Sequence, residues 1–182
     1  IHVFDAATKR SVAVLRGSAA TVTALALAAD GRRLWSGDND GMVREWSLPQ
    51  GDLARVLYKG RAGIQSLALS ENESALASGD AVGTVRTFDI ATGAVRDEAA
   101  THRSIVHALA FDPGDGRLVS GGHDHALRFW STEGGETSKD QHAAVWDVRF
   151  GGPRRLVATT GDRVVRSWNL ARAFEADAPE HG

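Results

Sequence analysis

The chain contains no cysteine. That excludes disulfides, thiolate metal sites and a catalytic thiol, and it fits a reducing compartment, so a cytoplasmic location is favoured. It also lacks an excess of either charge: 21 basic against 23 acidic residues leave a formal net charge of -2. The basic residues form no stripe, which argues against a nucleic-acid backbone as a direct partner. No apolar run reaches about 18 residues, so no membrane-spanning helix is expected and no membrane is assigned as a partner. No stretch of ten or more residues has a convincing helical period; the segment LARAFEA near the end would make one or two turns at most.

What the chain does have is a repeat. An aromatic residue followed by a small polar or acidic one recurs at Phe4-Asp5, Trp46-Ser47, Phe88-Asp89, Trp130-Ser131 and Trp168-Asn169, at intervals of 42, 42, 42 and 38 residues. The preceding segments align as LWSGDNDGMVREW, LASGDAVGTVRTF, LVSGGHDHALRFW and LVATTGDRVVRSW. Each reads as strand, turn, strand. Upstream of each lies another apolar stretch: TVTALAL, GIQSLAL, IVHALAF and AVWDVRF. Alternation of period two means a strand and is wrong for a helix. Asp30-Gly31, Glu71-Asn72-Glu73, Pro113-Gly114-Asp115-Gly116 and Gly151-Gly152-Pro153 are suitable hairpin connections. A more polar fourth strand follows each aromatic, as SVAVLR, DLARVLY, GAVRDEA and GETSKD. Strands are expected near Val22–Leu27, Leu34–Ser36, Val43–Trp46 and Leu53–Leu57, and again in each later repeat.

Four short strands per period of about 40–45 residues indicate an all-β propeller. On these residues the chain resembles the WD-repeat family, over nearly its whole length. The resemblance implies a hydrogen-bonded network in each blade: a His before the first inner strand, a Ser or Thr on the second, an Asp in the next turn, and a Trp ending the third. The third repeat supplies all four as His102, Ser120, Asp124 and Trp130. The first supplies Ser36, Asp40 and Trp46, with Ser18 in place of His. The fourth supplies Asp162 and Trp168, with Ala158 in place of Ser and His142 one residue out of register. The second keeps Ser78 but has Gly60, Val82 and Phe88 at the other positions. The only literal Trp-Asp pair, Trp146-Asp147, sits in a first inner strand and is not the repeat signature.

The expected architecture is one propeller region over residues 1–182, with four complete four-stranded antiparallel blades. Residues 1–15 supply the third and outer strands of a preceding blade. The repeats end near Trp46, Phe88, Trp130 and Trp168, and residues 171–182 form an outer strand or tail. Both ends fall at repeat boundaries. The expectation is therefore an arc of a larger ring of about seven blades and about 290 residues, with neighbouring blades absent from this chain.

The chemistry-bearing residues favour a structural reading over a catalytic one. Ser120 and Asp124 lie beside His102, yet the Ser–Asp spacing recurs at Ser36 and Asp40, and a hydrolytic site is not repeated blade by blade. There is no Gly-x-Ser-x-Gly elbow and no phosphate-binding glycine pattern. Four histidines crowd the third repeat, but His102 belongs to the network and His125 falls at a turn position held elsewhere by Gly41, Gly83 and Arg163. No catalytic residue, metal or cofactor is assigned.

The family resemblance implies that three positions per repeat point to the top face. They are Thr21, Thr23 and Asn39; Gly63, Gln65 and Ala81; Ile105, His107 and His123; and Ala144, Trp146 and Gly161. Trp146, His107 and His123 stand out as an aromatic and imidazole patch. Gln65, Ile105, Thr23 and Asn39 complete the candidate partner-binding set. The expected function is a non-catalytic scaffold for proteins or peptides. The alternatives are a sensory or regulatory module fused to a kinase or protease, and, behind it, a propeller enzyme.

Overall fold

A computed structural model describes residues 1–130 and 136–170, with the backbone alone for 136–138. The leading half-blade pairs β1 (His2–Phe4) with β2 (Ser11–Val14). Blade one is β3 (Val22–Leu27), β4 (Arg33–Asp38), β5 (Met42–Ser47) and β6 (Asp52–Lys59). Blade two is β7 (Ile64–Leu69), β8 (Ala75–Asp80), β9 (Thr84–Asp89) and β10 (Val95–Ala100). Blade three is β11 (Val106–Phe111), β12 (Leu118–Gly122), β13 (Ala126–Trp130) and β14 (Glu136–Asp140). Blade four has β15 (Val145–Phe150), β16 (Arg155–Thr160) and β17 (Val165–Asn169). Each blade is an antiparallel meander in chain order. The outer strand or tail expected in 171–182 lies outside the described residues.

The aligned positions explain the packing. Val43, Val85 and Leu127 are fully buried between one blade and the next. Gly37 and Gly79, on the second strand, lie against Ile64 and Val106 of the following blade, and Gly121 lies against Val145. A Cβ at Gly79 or Gly121 would stand 2.5 Å from the valine, so only glycine lets the blades approach this closely. One turn position is left-handed throughout: Gly41, Gly83, His125 and Arg163 have φ of 76°, 97°, 68° and 68°.

Among the described residues, both ends of the arc leave apolar side chains exposed. The half-blade brings no inner strands to β3, which leaves Leu25 and Leu27 50% and 56% exposed. At the other end Val165, the counterpart of buried Val43, is 67% exposed.

Candidate functional site

The third blade assembles its polar residues into one chain of hydrogen bonds. Trp130 Nε1–H donates to Ser120 Oγ at 3.1 Å, and Ser120 Oγ lies 2.7 Å from Nε2 of His102. Nδ1 of His102 lies 2.8 Å from Asp124 Oδ1. The same Nδ1 lies 2.8 Å from the Arg128 guanidinium, so this ring nitrogen faces an acceptor and a donor at once. Asp124 also accepts the backbone N–H of Arg103 at 2.9 Å and the Arg128 guanidinium at 3.0 Å. Burial disfavours the Asp124 charge, but these hydrogen bonds and neighbouring positive groups outweigh it and hold the carboxyl at about 2. Burial pushes the His102 imidazole down, against the pull of Asp124.

In the first blade the sequence reading requires correction. Trp46 Nε1–H donates to Ser36 Oγ at 2.8 Å, but Asp40 is exposed and the working carboxylate is Asp38. Asp38 accepts from Ser18 Oγ at 2.7 Å, from the Asp40 and Met42 amides, and from Arg44. The second blade repeats this arrangement: Asp80 accepts from Arg86 at 2.8 Å and from the Val82 and Thr84 amides. The blade that had read as lacking a network has another one.

The fourth blade departs again. Asp162 pairs with Arg166 at 2.5 Å and accepts from Thr160 Oγ1, while Ala158 offers no hydroxyl to Trp168. Trp168 is a half-buried packing residue against the last core cluster and not part of the Asp162 network. Arg44, Arg86, Arg128 and Arg166, at one position of the repeat, each hold their blade's carboxylate, and Arg86 also lies over the Tyr58 ring at 4.6 Å.

These networks adjoin the turns that carry the residues expected on the top face. The turn amide after each second strand donates to the carbonyl before the first: Asn39 to Thr21, Ala81 to Gly63, His123 to Ile105 and Gly161 to Ala144, at 2.8–3.0 Å. Opposite each lies a β-bulge, between Val22/Ala24, Ile64/Ser66, Val106/Ala108 and Val145/Asp147. The extra residues are Thr23, Gln65, His107 and Trp146. A bulge leaves its residue outside the regular pairing and re-aims its side chain.

Across the blade seams these residues meet. Gln65 donates to Asn39 at 3.2 Å, and Thr23 Oγ1 donates to the Ile64 carbonyl. At the third seam the Trp146 ring lies 4.5 Å from His107 and 5.8 Å from His123, while the two imidazoles are 5.5 Å apart and steeply inclined at 71°. Gly161 leaves room beside the indole, with the position of a Cβ 3.2 Å from Trp146 Nε1. Trp146 remains 49% exposed. Burial, and then the neighbouring His123, push the His107 imidazole below its ordinary range, so its neutral form prevails at pH 7. Ile105 is half-buried and joins the patch through its carbonyl, which accepts the His123 amide. His142 lies outside the cluster of three rings: it is exposed, with φ 60°, and its amide donates to Asp140.

A family model described as "WD domain, G-beta repeat" matches residues 9–47, 98–131 and 136–169. It passes over the second repeat, where Gly60, Val82 and Phe88 replace three of the four network residues. No curated protein sequence matches the chain. Solved structures do. One titled "Structure of U3-55K" matches with TM-score 0.82 and 24% identity, over 88% of this chain and 52% of that one. One of the RRP9 WD40 repeats matches with TM-score 0.82 and 25% identity, over 88% and 51%. The computationally designed Ika4 protein matches with TM-score 0.74 and 25% identity, over 88% and 98%. The chain therefore spans about half the length of the first two and nearly all of the third.

Proposed function

Since the chain belongs to the WD-domain, G-beta repeat family, we propose that it is a non-catalytic scaffold that captures protein or peptide partners on its top face. The patch of Trp146, His107 and His123 is its centre, bordered by Ile105, Gln65, Thr23 and Asn39. The observation that carries this reading is the half-exposed Trp146, held against two imidazoles across a blade seam. A large aromatic already fixed by its neighbours loses little conformational freedom on binding, which is why such residues anchor interfaces. The rigid blade networks beneath it supply preorganisation.

The test is selection of a displayed peptide library on the folded protein, followed by affinity measurement against Trp146→Ala, His107→Ala and His142→Ala. Selected peptides should lose binding with the first two variants and keep it with the third. Thermal melting run in parallel separates anchor from plug. If Trp146→Ala unfolds the chain, the indole fills the ring; if all three variants bind alike, the patch is not the site.

A further inference from the structure

The sequence suggests no metal site in the histidine-rich third repeat, and the structure separates those four residues. His102 is buried in the network, and His125 is exposed in a left-handed turn. His107 and His123 converge, with Nε2 of one 3.3 Å from Nδ1 of the other. Two nitrogens bound to one tetrahedral cation at about 2.0–2.1 Å stand about 3.3–3.4 Å apart, the edge of the coordination tetrahedron. The rings are also steeply inclined, at 71°, and side-chain rotation is needed to turn the two inner lone pairs from each other to a shared cation.

We propose that His107 and His123 form an open clamp for a late first-row divalent cation such as Cu2+, Ni2+ or Zn2+. Imidazole nitrogen suits these ions. With a proton on either inner nitrogen, one imidazole N–H donates to the other ring. For the cation to enter, each ring carries its proton on its outer nitrogen, Nδ1 of His107 and Nε2 of His123, so both inner lone pairs are free and no net proton is released. Trp146, tilted by 38° against His107, bears on one ring. The β11 bulge and the bond from the His123 amide to Ile105 fix the two backbones. Among the described residues no third His, Cys, Asp or Glu completes the set, so the remaining positions take water or a donor atom from a bound molecule. The proposal stands apart from the partner-capture reading, because the cation is bound by this chain alone.

The test uses the untagged chain without any partner, titrated with Cu2+, Ni2+ and Zn2+ by calorimetry, beside His107→Ala, His123→Ala and the double variant. One cation per chain should bind, with affinity falling by about tenfold or more in either single variant. Cu2+ should quench indole fluorescence, and Trp146→Phe should remove much of that quenching while keeping the affinity. Melting curves establish that each variant is folded; His123→Ala, on an exposed turn, is the variant that keeps the test decisive if His107→Ala unfolds. Equal binding by the parent and the double variant, or binding by the parent only at millimolar cation, overturns the proposal.

Discussion

A Cβ added at Gly122 would collide with the imidazole of His102. At the equivalent position the first two blades carry Asp38 and Asp80, and there the histidine position holds Ser18 and Gly60. The blades thus solve one problem in two ways. With an imidazole present, the strand end must be glycine and the carboxylate comes from the turn, as Asp124. Without it, the strand end supplies the carboxylate itself. In both, the arginine six residues beyond the strand end closes the network.

Aspartate substitutions should separate these designs. Asp38→Ala strands the buried Arg44 guanidinium and should cost about 3–5 kcal/mol. Asp124→Ala should cost about 1–3 kcal/mol. Asp40→Ala, on an exposed turn, should stay within about 0.5 kcal/mol of the parent. Denaturant unfolding measures all three; a loss at Asp40 equal to that at Asp38 would contradict the assignment.

Acid should act on the third blade in two stages. His102 is neutral when folded and its folded pKa is depressed by burial. Its stability contribution is present above the ordinary value near 6.5 and declines as pH falls below it, because the unfolded chain takes up the proton more readily. Asp124 is depressed to about 2 from 3.8. Its contribution is complete above about pH 4 and is lost as pH falls towards 2. Melting temperature against pH should show both declines. Asp124→Asn should lessen the lower one, which Asp38, Asp89 and Asp162, also held below the usual carboxylate range by their hydrogen bonds, share.

Ser78 is fully buried and its hydroxyl has no hydrogen-bond partner, since Phe88 and Gly60 replace the indole and imidazole that hold Ser120. Ser78→Ala should therefore stabilise the chain or leave it unchanged, by up to about 1 kcal/mol. Ser36→Ala orphans the Trp46 N–H and should cost about 1–3 kcal/mol. The same substitution at aligned positions should give opposite signs in thermal unfolding.

Strand order, the repeat interval and the third-blade residues were legible because a 42-residue period exposes alignment, and period-two alternation exposes strands. Asp38 was not. Its carboxylate lies two residues before the family position, and only the fold shows that Ser18 and Arg44 reach it. The arginine in all four repeats, with an aspartate at one of two nearby positions, was the available signal. The packing of Trp146 against His107 depends on contact across a seam between residues 39 apart in sequence, which spacing alone does not position. Trp168 was misplaced for a simpler reason: a tryptophan at the right offset has no network role when Ala158 takes the place of the serine.

The last prediction concerns the uncovered ends. Leu25 and Leu27 on β3 and Val165 on β17 occupy positions that later or interior blades bury wholly or in part, and such surface drives association. The 182-residue chain by itself should therefore associate with increasing concentration. Its two faces are not matched, however. Interior seams seat Ile64, Val106 or Val145 on Gly37, Gly79 or Gly121, whereas the fourth blade carries Thr159 at the glycine position and exposed Arg149 where earlier blades have Ala26, Ala68 and Ala110. Head-to-tail contact would press Val22 against the Thr159 side chain. Thr159→Gly should consequently strengthen association in sedimentation velocity runs, and Leu25→Lys with Leu27→Lys should weaken it. If Thr159→Gly leaves the sedimentation profile unchanged while the lysine pair abolishes association, the chains meet through their leading faces and not head to tail.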